Sequence, residues 1–134
     1  MILGIDHVGI AVREGGAAET FARLLGIEPT PASELPAEGV RVCFIPEAAP
    51  NLELLASLEG SEEGLVRRFL ERRGEGLHHV CFAVDDVAAE LHRLTDAGFE
   101  AIDAVPREGH GGLVAFLQPR TTHGVLVELL QRRA

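Results

Sequence analysis

The chain has 134 residues, 46% of them hydrophobic and 25% charged, a composition that fits one globular domain long enough to bury a core. A formal net charge of −9 excludes the basic footprint of a nucleic-acid binder, and the absence of Trp and Tyr removes the usual stacking surface for bases or sugars. No apolar run approaches the roughly 20 residues needed to cross a bilayer, and the opening MILGIDHVGIAV lacks the basic start and cleavage site of a signal peptide, so a cytoplasmic location without a membrane partner is expected.

In chain order, a β-rich run at Ile5–Val12 leads into a helix whose apolar stripe is Phe21, Leu24 and Leu25 and whose terminator is Gly26. Strand-like runs follow at Val40–Ile45 and Leu52–Leu55, rich in Val, Leu, Ile and Phe. Ser61-Glu62-Glu63 then opens a short helix with acidic residues at its positive end. Leu65, Val66, Phe69 and Leu70 form its buried stripe, and Arg72-Arg73-Gly74 closes it. Arg67, Arg68, Arg72 and Arg73 on this helix read as a solvated face, with a small anionic ligand as the alternative. A second β-rich run, Leu77–Val84, precedes a helix capped by Asp86, lined by Val87, Leu91 and Leu94, and ended by Gly98. Cys43 and Cys81 both lie in apolar runs and read as reduced, buried small hydrophobes rather than a disulfide.

The two halves repeat one another. His79 follows His7 by 72 positions, and the same offset joins Val8 to Val80, Ala11 to Ala83, Val12 to Val84, Gly26 to Gly98 and Glu28 to Glu100. It also lays the run 39–45 on 111–117. Leu52-Glu53-Leu54-Leu55 parallels Val127-Glu128-Leu129-Leu130 at an offset of 75, so three extra residues are expected in the turn Pro119–Gly124, where insertions cost little. The sequence thus predicts an α+β fold of two tandem βαβββ modules packed to form a curved, partly open mixed sheet around a metal-binding cleft. Module 1 spans about 1–58, the connecting helix about 61–73 and module 2 about 75–134.

Four residues carry the chemistry. A single strand His is usually a hydrogen-bonded core residue, but His7 and His79 occupy one place in both copies. Glu53 and Glu128 are flanked by Leu or Val in strands that otherwise look buried, where an uncompensated carboxylate costs several kcal/mol. The plainer alternative is a Glu on an edge strand facing water. Two imidazoles and two carboxylates converging across a pseudo-twofold axis suit a divalent Co, Mn, Ni, Fe or Zn ion, with coordination positions left for water or a bidentate substrate.

These residues resemble the vicinal oxygen chelate superfamily, which includes glyoxalase I and the extradiol dioxygenases, and within it the methylmalonyl-CoA epimerase family, over nearly the whole chain. The resemblance rests on Ile5-Asp6-His7-Val8-Gly9-Ile10-Ala11-Val12, Pro36-Ala37-Glu38-Gly39-Val40, Gly76-Leu77-His78-His79-Val80-Cys81-Phe82, Val84-Asp85-Asp86 and Gly124-Val125-Leu126-Val127-Glu128-Leu129. It implies that His7, Glu53, His79 and Glu128 are metal ligands and that Glu128 is the catalytic base of an acyl-CoA epimerase acting through a metal-stabilised enolate. His78 then faces away from the site. Arg67, Arg72, Arg107 and Arg120 are candidates for the CoA phosphates, and a homodimer is expected. The chain departs from the family at Val42, where some members place a glutamate base, at Gln118-Pro119-Arg120, where His-Pro-Lys is frequent, and at His110, expected to be exposed. The alternatives are a glyoxalase I-like isomerase (lactoylglutathione lyase) and a metal-free binding protein of the same fold.

Overall fold

A computed structural model describes residues 1–13, 16–28, 30–45, 51–58 and 64–133. Its elements in chain order are β1 (Ile2–Ala11), α1 (Gly16–Leu25), β2 (Ser33–Leu35), β3 (Val40–Ile45), β4 (Asn51–Ser57), α2 (Leu65–Arg73), β5 (Gly76–Val84), α3 (Val87–Asp96), β6 (Arg107–Glu108), β7 (Gly112–Leu117) and β8 (Val127–Arg132). No described helix is long and apolar enough to cross a membrane. The chain divides into two compact units, His7–His78 and Met1–Asp6 with His79–Ala134, so the division falls inside β1 and β5.

In the unit His7–His78 the strand order is β2-β3-β4-β1. β1 runs parallel to β4, and β3 is antiparallel to β4 and β2. The alternation of strand side chains sorts the residues onto two faces. Val12, Ile45 and Leu54 form one core cluster, with Ala17, Ala18 and Phe21 of α1 packed on it. Ala11, Val40, Val42 and Leu55 face the other way, beneath Val66 and Leu70 of α2.

The other unit repeats the plan with order β5-β8-β7-β6, β5 parallel to β8 and β7 antiparallel to β8 and β6. Ala115, Leu117, Val127 and Leu129 pack under Val87, Leu91 and Leu94 of α3. Cys81, Val114 and Leu130, with Phe116, form the opposite face. Registers match between copies: Phe44 lies opposite Glu53, and Phe116 opposite Glu128. The connection from β7 to β8 holds a 3₁₀ turn at Pro119–Thr121 followed by left-handed His123 and Gly124, which is where the repeat offset places three additional residues.

The helix signals hold at α3. Asp86 caps it, its carboxylate accepting the Ala89 N–H at 3.0 Å, and Val87, Leu91 and Leu94 are buried. At α1 the expected stripe is corrected. Phe21 packs inward, but Leu24 is 72% exposed and Leu25 is also exposed, and no α1 residue is fully buried. Periodicity marks which side of a helix is apolar, while how far the strands extend beneath it decides what is covered. Leu65 is likewise exposed, about 100° around α2 from Val66 by helix geometry. The opening Ser61-Glu62-Glu63 of that helix lies outside the described residues. Cys81 is buried as expected, whereas Cys43 is half-buried with its thiol on the Thr30 carbonyl at 3.2 Å; both are free thiols.

Candidate functional site

Each unit carries a buried His–Glu pair, with the Glu on a strand interior to the unit's sheet. In one unit His7 on β1 and Glu53 on β4 place Nε2 and Oε1 3.6 Å apart, with side chains 4% and 9% exposed. In the other, His79 on β5 and Glu128 on β8 place the same atoms 3.2 Å apart, at 4% and 12% exposure. The edge-strand reading of the two glutamates is thereby excluded. β4 is flanked by β3 and β1, and β8 by β5 and β7, so neither carboxylate sits on an open edge.

An aromatic ring accompanies each pair. Phe44 meets His7 edge-to-face at 5.8 Å between centroids, and Phe116 meets His79 in the same way at 6.2 Å. The two phenylalanines obey the 72-residue offset, so the repeated unit of the site is His, Glu and Phe, and the ring limits the rotation of its imidazole. Sequence reasoning misses this third member. Its signal lies in the match of 39–45 with 111–117, but a strand Phe reads as core.

The donor set fits a divalent metal. Two ligands bonded at about 2.0–2.2 Å at adjacent positions of one ion stand about 3.0–3.5 Å apart, close to the two N···O separations measured here. Imidazole nitrogen and carboxylate oxygen are donors that Co, Mn, Ni, Fe and Zn accept. His7 and Glu53 are the candidate donors of one unit, His79 and Glu128 those of the other.

The remaining candidates separate clearly. His78 packs its ring against Phe69 of α2 at 5.0 Å, whereas the next residue, His79, contacts Glu128, as alternation along β5 requires. His110 is exposed. Val42 is 2% exposed within the cluster under α2 and offers no proton-transferring group. Arg67 pairs with Glu71 at 3.1 Å, Arg120 with Glu100, and Arg107 with Asp103 at 3.2 Å, while Arg72 is exposed. Burial pushes the Cys43 thiol up, with Glu19 adding to the effect, which makes it a poor nucleophile.

The family model for the Glyoxalase/Bleomycin resistance protein/Dioxygenase superfamily matches residues 6–116. An ethylmalonyl-CoA/methylmalonyl-CoA epimerase of Cereibacter sphaeroides is 39% identical over 98% of this chain and 99% of its own length. The crystal structure of methylmalonyl-CoA epimerase from Mycobacterium tuberculosis superposes with a TM-score of 0.90 at 29% identity, covering 99% of this chain and 90% of that one. A variant of Streptomyces coelicolor methylmalonyl-CoA epimerase in complex with 2-nitronate-propionyl-CoA superposes at 0.89 with 31% identity, covering 100% of both chains. With its duplicated module and the match over most of its length, the chain belongs to the glyoxalase/bleomycin resistance protein/dioxygenase superfamily.

Proposed function

We propose that this chain is a metal-dependent epimerase interconverting (2R)- and (2S)-methylmalonyl-CoA, with His7, Glu53, His79 and Glu128 serving one divalent ion. The observation that carries the proposal is the repetition of a buried His–Glu pair at the same register in both modules. A buried His–Glu pair repays its desolvation only with excellent geometry and further bonds. Two such pairs, one in each copy of a duplicated module, argue for a ligand rather than for stability. The relatives named as methylmalonyl-CoA epimerases supply the substrate class.

When bound, a Co, Mn, Ni, Fe or Zn ion would polarise the thioester carbonyl as a Lewis acid, a contribution of several kcal/mol. The proton to be moved sits on the carbon between that carbonyl and the substrate carboxylate. Glu128 is assigned as the base that takes it. Its Oε1 lies beside His79 Nε2, which orients the carboxylate, and its burial keeps bulk water away from it. Val42 cannot return a proton to the opposite face, so the mechanism differs at that position from relatives with a glutamate there.

Metal-loaded protein incubated with either epimer in D₂O should incorporate α-deuterium and lose optical purity. Glu128→Gln should slow exchange by about 10²–10⁴-fold, the usual weight of a positioned base. Absence of exchange with all five metals would reject the epimerase assignment. The same reading makes the protein a homodimer, for which the exposed apolar side chains Ile2, Leu3 and Ile5 of β1 are the natural surface to cover. Light scattering at micromolar concentration tests it, and a monomer mass would refute it.

A further inference from the structure

Phe44 and Phe116 hold equivalent places beside His7 and His79, and the backbone next to them repeats as far as one residue. The Thr30 N–H donates to the Phe44 carbonyl at 2.9 Å, and the Ile102 N–H donates to the Phe116 carbonyl at 2.8 Å, again 72 positions on. The following residue breaks the repeat. It is Pro31 in one module and Asp103 in the other, and proline brings neither an N–H nor a side-chain acceptor. Asp103 turns its carboxylate to the strand, where Oδ2 accepts the backbone N–H of Phe116 at 2.9 Å. β6 covers only Arg107–Glu108, opposite Val114 and Leu113, so it stops short of Phe116. The carboxylate supplies the acceptor that a longer edge strand would have supplied.

The other oxygen of Asp103 acts on the ring of the same residue. Oδ1 accepts the Arg107 Nε–H at 3.2 Å, and the Arg107 guanidinium carbon lies 5.5 Å from the Phe116 centroid. The Phe116 ring in turn meets His79 edge-to-face at 6.2 Å, and His79 Nε2 lies 3.2 Å from Glu128 Oε1. One carboxylate, 17% exposed, therefore fixes both the backbone and the ring of the residue that rests on His79.

We propose that Asp103 is a positioning residue for His79, holding the imidazole in place through the Phe116 N–H and the guanidinium over the Phe116 ring. This rests on the reading of His79 and Glu128 as metal ligands. A ligating group must be kept within roughly 0.5 Å of its productive place, and residues outside the ligand set do the holding. The first module has a proline at the corresponding position, so this hold is specific to the module that carries Glu128.

Two readouts test the role in the whole protein, comparing wild type with Asp103→Ala and Asp103→Asn. In the metal-free protein, the His79 ring-proton resonances, assigned with His79→Gln, report the place of the Phe116 ring by its ring current. They should move in Asp103→Ala and stay near the wild-type positions in Asp103→Asn, which keeps an acceptor for the Phe116 N–H. Calorimetric titration with Co²⁺ should show affinity about tenfold weaker in Asp103→Ala, the lower end of losses outside the ligand set, with a changed visible spectrum of the bound ion. Asp103→Asn should restore most of both. Lower thermal stability in Asp103→Ala with unmoved ring protons and unchanged Co²⁺ affinity would overturn the proposal, as would an Asp103→Asn protein as impaired as Asp103→Ala. If Asp103→Ala does not fold, Phe116→Leu decides: it keeps an apolar strand residue and loses the ring, and Co²⁺ affinity equal to wild type refutes the role. Equal Co²⁺ binding by wild type and Glu128→Gln would sink the ligand reading, and the ring protons would still decide whether Asp103 holds His79. Absence of deuterium exchange would sink the epimerase alone, since neither readout involves substrate.

Discussion

Glu90, in the first turn of α3, is 2% exposed and ionised. Its Oε1 accepts Arg93 Nε at 2.8 Å and Nη2 at 2.5 Å, and its Oε2 accepts the Met1 amino group at 2.8 Å. Arg93 first, then the Met1 amino group, holds the Glu90 carboxyl below its usual range against the opposing effect of burial. Glu90→Gln keeps the shape and removes the charge. A charge-assisted bond contributes about 1.5–3 kcal/mol. The Arg93 side chain is 57% exposed and returns to water when its partner is neutralised. The lower part of that range, about 1.5–2 kcal/mol at pH 7, is therefore expected. Because the folded-state pKa is depressed, this stabilisation is complete above the unfolded value of about 4.3 and is lost as pH falls through the folded value. Urea unfolding of wild type and Glu90→Gln should show the full gap at pH 7 and a shrinking one below about pH 4. A gap that stays constant on acidification would refute the electrostatic account.

Three further outcomes follow from packing and ligation. A Cβ on Gly112 would lie 2.1 Å from the Gln131 carbonyl oxygen at a φ of +156°, so Gly112→Ala should lose at least about 1–3 kcal/mol by thermal unfolding; unchanged stability would contradict the close approach of β7 to β8. Leu129, 1% exposed under α3, should lose about 2–5 kcal/mol on substitution by Ala, while Leu24→Ala should stay within about 0.5 kcal/mol. Equal effects would show that α1 is covered in solution. An ion present at 100 times its Kd should stabilise the wild type by about 2.7 kcal/mol, and Glu53→Gln and Glu128→Gln should each diminish the shift at the same ion concentration. An identical shift in both variants would place the ion elsewhere.

Much of this molecule is legible in one dimension because duplication repeats local physics. The 72-residue offset carries the strand that bears each His, the helix that follows it, and the Gly that ends that helix, all governed by neighbours in sequence. Burial of Glu53 and Glu128 is likewise readable, since a strand run that is apolar on both sides of its carboxylate is covered on both faces. Tertiary structure decides matters that depend on what lies across a sheet. Leu24 and Leu65 satisfy helical periodicity yet stay exposed, because a stripe states a preference and only a neighbour can cover it. Phe116 becomes a support for His79 through strand registers that bring together residues far apart in the chain. Local order is set by bonds between near neighbours, whereas a site is set by which strands pair, and that pairing is a property of the folded chain.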